Sequence, residues 1–95
     1  MEVRESKAAE KDLNKAPIEV IFSYETWARL IEEHGLKILR SFKGYHDEKL
    51  RGNLEGYRSS RLNKRWRVIY RIEDDGVLKI AEVSRIALHN YRRKK

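Results

Sequence analysis

The sequence predicts an α+β fold: a helical hairpin packed on a small, mostly antiparallel twisted sheet, in the order β-α-α-β-β-β. Three observations carry this. Residues 18–34 place apolar side chains at helical spacing and stop at Gly35. Residues 57–63, 66–73 and 77–84 are three runs with strand character, and the second alternates aromatic and β-branched residues with arginines. Short turn signals, Asn63-Lys64-Arg65 and Asp74-Asp75-Gly76, separate those runs. A chain of 95 residues is expected to form a single domain, 1–95, with one sheet and one or two helices rather than a deep cavity.

Each element has a local reason. The opening MEVRE alternates, which suits a first strand with Val3 facing inward. Ser6 can cap a helix through AAEKDLNK, with Ala9 and Leu13 four residues apart on one face. Pro17 suits the start of the second helix. Its stripe runs Ile18, Ile21, Tyr24 or Glu25, Ala28, Ile31, widened by Val20, Trp27, Leu30 and His34. LKILRSF, residues 36–42, reads as a further helical turn or an irregular strand, the helical turn being the better fit. GYHDEKLRGNLEG, residues 44–56, has three glycines and no sustained period, and is expected to be a loop. The terminal RRKK is expected to fray.

Composition narrows the function. The chain has no cysteine, which excludes disulfides and thiolate metal sites and fits a reducing compartment. It has no apolar run of membrane-spanning length and no apolar stretch at the N-terminus that would mark a secretory signal, so a cytoplasmic protein is expected. The net charge is +7, unevenly spread. Residues 1–55 carry 10 basic and 11 acidic side chains and residues 56–95 carry 12 and 4, for net charges of −1 and +8. A concentrated basic surface attracts polyanions, nucleic acid first among them, though an acidic protein partner or plain solvation would also explain it. Phosphate-binding GxxxxGK[ST], GxGxxG and GxSxG motifs are all missing. His34, His46 and His89 lie too far apart in sequence to suggest a zinc site, so neither metal nor cofactor is expected.

Strand alternation sorts the charges by face. Trp66, Val68, Tyr70 and Ile72 would point toward the helices, and Arg65, Arg67, Ile69 and Arg71 away from them. In the preceding run Tyr57, Ser59, Arg61 and Asn63 share one face, and Arg58, Ser60 and Leu62 the other. No acidic residue lies between 56 and 72, so the arginine face is expected to be open and without ion-pair partners. Arginine forks match phosphate oxygens, and Arg61 and Arg67 on neighbouring strands could clamp one phosphate. Glu48, beside His46 and Asp47, is a candidate general base, and His89 a candidate acid. Taken singly, each of these residues is more readily a solvated side chain. Together they make a metal-free set for phosphodiester transfer in RNA, where the 2′-OH can be deprotonated and attack its own phosphate.

These residues also carry a resemblance. DEKLRGNLEGYRSSRLNKRWRVIYRIE, followed by HNYRR, resembles the RelE/ParE superfamily of bacterial toxins from type II toxin–antitoxin systems. The Leu-x-Gly-Asn loop, then Gly-Tyr-Arg-Ser-x-Arg, then Trp-Arg-Val-Ile-Tyr, is similar to the HigB, YoeB and YafQ branches. It is strongest over residues 47–73 and weak over 18–45. The resemblance implies a microbial-RNase-like fold and a ribosome-dependent mRNA endonuclease. It implies Glu48 as general base with His46 in reserve, Arg61 and Arg67 on the scissile phosphate, His89 as general acid, and Tyr91 stacking on or orienting a base. His46, Lys49, Arg51, Arg58, Lys64 and Arg65 are the residues expected to contact RNA, ribosomal RNA included. Two departures stand out: Asn90 separates His89 from Tyr91, and Arg65 replaces an acidic residue of some relatives. The implied partners are mRNA on the ribosome, ribosomal RNA and a cognate antitoxin, with no membrane; the oligomeric state leaves no signature. A non-catalytic gyrase inhibitor of the ParE kind and a basic RNA-binding module are the alternatives.

Overall fold

A computed structural model describes residues 1–88. Among them, five strands form one sheet in the order β1-β5-β4-β3-β2. The strands are β1 (Glu2–Glu5), β2 (Glu48–Lys49), β3 (Arg58–Arg61), β4 (Trp66–Asp74) and β5 (Lys79–Leu88). The helices are α1 (Lys7–Lys15), α2 (Ile18–His34) and the short α3 (Ile38–Ser41). β1 runs parallel to β5 and the other pairings are antiparallel, so the α+β expectation holds.

The helices begin and end where local chemistry directs. The Ser6 hydroxyl accepts from the Ala9 N–H (3.0 Å) and caps α1, as expected from sequence. The same hydroxyl donates to the Ser84 carbonyl (2.9 Å), fixing the start of α1 to β5. Pro17 stands immediately before α2, and Gly35 ends it at φ 81°, a left-handed conformation that favours glycine. The buried stripe of α2 is Val20, Tyr24, Trp27 and Ile31. Ile18, expected on that stripe, is exposed, because a helix phased on Trp27 turns Ile18 outward. Trp27 is the centre of the core, packed at 5.7 Å from Tyr24 and edge-on at 5.2 Å to Tyr70 of β4.

On the sheet, Val68 and Tyr70 are fully buried beneath the helices while Trp66 and Ile72 at either end are partly covered. Between Ile69 and Tyr70 the partner register jumps from Arg85 to Val83, leaving Ser84 as a bulge. The bulge resets the alternation, so Val83 and Ile86 both enter the core. It also lets β5 continue to Leu88, four residues past its expected end. At its start β5 is shorter than expected, because the Asp75 carboxylate accepts from the N–H groups of Val77 (2.9 Å) and Leu78 (2.8 Å) and keeps both in the turn. Within 44–56, expected as loop, Glu48 and Lys49 pair with Ser59 and Arg58 and form the edge strand β2. Two residues are too few to show a period.

Asp12 of α1 clasps the far end of β5. It accepts from Arg85 Nε (2.7 Å) and Nη2 (3.0 Å) and from the Ile86 N–H (2.9 Å). The Arg85 bond, aided by the Ile86 N–H, holds its carboxyl below the ordinary carboxylate range although burial opposes this. A depressed carboxyl contributes stability that is present above its unfolded value and lost as pH falls through its folded one. Asp12→Asn should therefore lower the melting temperature at neutral pH, and the gap to the wild type should narrow in acid; equal gaps at both pH values would count against the clasp.

Candidate active site

The site is built from three neighbouring strands at the β2 edge. Cross-strand register places Glu48 opposite Ser59, and Arg61 opposite Arg67. Residues opposed in this way point to the same side of a sheet. Glu48, Ser59, Arg61 and Arg67 therefore share the face away from the helices; alternation had sorted Ser59, Arg61 and Arg67 by face, but Glu48 was expected in a loop.

That face is less open than expected. Arg67 is only 7% exposed. Its Nε donates to Ser59 Oγ (2.6 Å), its Nη2 donates to the His46 carbonyl (3.1 Å), and Nη2 lies 3.7 Å from Glu48 Oε2. The remaining guanidinium N–H donors have no hydrogen-bond acceptor among the described residues. Burial lowers the Arg67 pKa, Glu48 and Asp47 work against that, and Arg61 adds to it. Two arginines directly opposed across strands repel. Arg61 has no ion-pair partner among the described residues. Of the two, only Arg67 has a carboxylate near it, Glu48 at 3.7 Å.

The other arginines behave differently. The expectation that this stretch lacks acidic partners is corrected, because carboxylates come from outside residues 56–72. Arg58 lies on the helix side and donates to Asp47 Oδ2 from Nε (2.9 Å) and Nη2 (2.5 Å). Burial disfavours its charge, but the bonds to Asp47 outweigh this and raise its pKa. Arg71 donates to Glu73 (2.8 Å) and lies over the Tyr57 ring at 5.7 Å. Arg58, expected to contact RNA, has its guanidinium committed within the fold. Lys49 pairs opposite Arg58 and so faces the helix side. Lys64 and Arg65 are exposed in the β3–β4 turn, where Asn63 Oδ1 accepts from the N–H groups of Arg65 (2.8 Å) and Trp66 (2.9 Å). Arg51 is exposed in the segment after β2. His89 and Tyr91 lie outside the described residues.

His46 contributes its backbone. It is a non-glycine residue at positive φ (43°), and its carbonyl receives Arg67. A left-handed residue costs roughly 1–2 kcal/mol. His46→Gly should therefore melt no lower than the wild type and gain up to ~1 kcal/mol once the entropy of an added glycine is subtracted. It also separates the two base candidates: loss of activity in a variant of undiminished stability would point to the imidazole, and retention to Glu48.

Sequence reasoning did not find Asp47, Ser59 or Tyr70 as site residues. Asp47 Oδ1 accepts from Ser60 Oγ (2.7 Å) and from the Tyr70 hydroxyl (2.5 Å). Burial and the Asp47 carboxylate raise the Tyr70 pKa well above the usual tyrosine value. The signal for Ser59 was its shared face with Arg61; Asp47 carried none beyond its neighbours. A depression of about 1190 Å³ is lined by Glu48, Lys49, Arg51, Tyr57, Arg58 and Ile72. Arg61 and Arg67 do not line it. Among the described residues no group of three or more His, Cys, Asp or Glu side chains could hold a metal ion, and no helix is long and apolar enough to cross a membrane.

The fold is that of the RelE-like toxins of bacterial toxin–antitoxin systems. The YoeB/ParE toxin from Agrobacterium tumefaciens superposes with a TM-score of 0.71 at 20% identity, over 95% of this chain and 100% of that one. YafQ from E. coli gives 0.74 at 20% identity, over 93% and 92%. The RelBE2 toxin–antitoxin complex from Mycobacterium tuberculosis gives 0.67 at 24% identity, over 93% and 96%. No family model matches the chain, and no curated protein matches it by sequence.

Proposed function

We propose that the chain is the toxin of a type II toxin–antitoxin system and acts as a ribosome-dependent endoribonuclease on mRNA. The observation that carries this is the opposed Arg61/Arg67 pair, unneutralised at Arg61, with the Glu48 carboxylate on the same face. The shared fold with YoeB, YafQ and RelBE2 supports it. In this reading Glu48 takes the proton of the 2′-OH. The 2′-oxygen then attacks phosphorus, the bond to the 5′-oxygen breaks, and His89 protonates that leaving oxygen. Arg61 and Arg67 stabilise the added negative charge of the pentavalent transition state. The base is 60% exposed, so it does not by itself hold a flexible RNA in place. The ribosome supplies the orientation, and free RNA is a poor substrate. Lys64 and Arg65, at the tip of the β3–β4 turn, dock ribosomal RNA by charge. A cognate antitoxin is the second partner, by analogy with the RelBE2 complex.

The test is expression in a bacterium followed by mapping of mRNA 5′ ends. New ends at a fixed position within codons are expected. Growth arrest with intact mRNA and DNA damage would instead identify a gyrase inhibitor.

A further inference from the structure

We propose that Asp47 is a positioning residue for Glu48 and Arg67, and that it sets the site from the opposite side of the sheet. This rests on the reading of Glu48 and Arg67 as working residues. Asp47 and Glu48 are adjacent but face opposite ways. Glu48 stands opposite Ser59 on the open face, whereas Asp47 reaches Ser60, Arg58 and Tyr70 on the helix side. The Asp47 carboxylate is 11% exposed and accepts bonds at both oxygens, two at Oδ1 and two at Oδ2. Asp47 is the residue immediately before β2, so anchoring its side chain on the helix side fixes where the strand begins and holds Glu48 on the open face.

The same anchor acts on Arg67. His46 precedes Asp47 and holds a left-handed backbone that a histidine does not favour. Its carbonyl is one of the two hydrogen-bond acceptors of Arg67 among the described residues. The turn at 46–48 is therefore gripped from both faces, by Asp47 below and by Arg67 above. Without the lower grip the left-handed residue relaxes, its carbonyl leaves Nη2, and Glu48 loses its place beside the guanidinium. A misplacement of about 1 Å in a reacting group can cost roughly 100-fold in rate.

The test compares Asp47→Asn, Tyr70→Phe and the double variant Asp47→Asn/Arg58→Gln in the full chain. Asp47→Asn keeps shape and the Oδ1 acceptor but turns an amide NH₂ toward the Arg58 guanidinium. The double variant restores an acceptor to that amide. Tyr70→Phe removes one bond and keeps the core volume. Two readouts are taken: codon-phased cleavage, and NMR protection of the Arg67 Nη2 hydrogens, which bond the His46 carbonyl, and of the 46–49 amides. Asp47→Asn should lower cleavage by about 100-fold and expose the Arg67 Nη2 hydrogens, while core amides stay protected. Tyr70→Phe should show the same signature more weakly, and the double variant should recover much of both. Wild-type protection of the Arg67 Nη2 hydrogens in Asp47→Asn and in Tyr70→Phe would overturn the proposal. Should Asp47→Asn lose its core protection, Tyr70→Phe decides the matter. Should the wild type cleave no RNA, the nuclease reading fails and NMR protection alone decides the positioning.

Discussion

Arg67→Met should abolish codon-phased cleavage, by at least ~100-fold, while leaving the melting temperature close to that of the wild type. The two halves of this expectation have one source. Burial and the facing Arg61 lower the Arg67 pKa despite nearby Glu48 and Asp47, so the folded state on balance disfavours this cation. Removing one partner of an ion pair is costly when the other is left buried and unpaired, and here the carboxylate left behind, Glu48, is 60% exposed and can be solvated. The variant loses the bonds to Ser59 and His46 but also loses the desolvation penalty and the repulsion from Arg61. What cannot be replaced is a planar fork aimed at a phosphate. Arg67→Lys keeps a charge without that fork and should recover only a minor part of the activity. Full cleavage by Arg67→Met, measured from mRNA ends, would remove Arg67 from the chemistry; a collapse in melting temperature would show that its role is structural.

Trp27→Ala should have the largest effect on stability. Trp27 is fully buried and touches both Tyr24 and Tyr70. Removing a buried tryptophan side chain costs about 3–5 kcal/mol. Domains of this size rarely hold more than ~5–15 kcal/mol in total. At ~4–8 °C per kcal/mol, the melting temperature should fall by at least about 12 °C. Trp27→Phe is the control. It keeps an aromatic ring and removes an indole N–H that has no hydrogen-bond partner among the described residues, so it should cost much less. A thermal melt showing similar losses for both variants would contradict this account of the core. Tyr70 links core to site through its hydroxyl on Asp47, so Trp27→Ala should also loosen the turn that carries Glu48.

Much of the fold was legible because its signals are local. Ser6 is a cap, Gly35 a stop and Asp74-Asp75-Gly76 a turn, and each acts within a few residues of itself. Period-two alternation likewise placed Glu48's neighbours Arg61 and Arg67 on one face. What escaped depends on register between distant segments. The bulge at Ser84 exists only relative to Ile69 and Tyr70 on the neighbouring strand. Ile18 turned outward because helix phase is settled by which side chain fills the core, and Trp27 does. The expected open arginine face failed in the same way: counting acids within 56–72 could not reveal that Asp47, Glu48 and Glu73 would come to meet Arg58, Arg67 and Arg71.

The parallel pairing of β1 with β5 carries a consequence for synthesis. Glu2 meets Ile80, so the first strand waits for almost the last to find a partner. β5 also lies between β1 and β4, which makes it an interior strand of the sheet made late in the chain. A nascent chain that has exposed residues 1–74 can close the β3–β4 hairpin and coil α2, but β1 has no edge to join. The long closure that unites them adds non-local contacts and slows folding. The Arg61/Arg67 face is therefore steadied only after β5 has left the translating ribosome that built it.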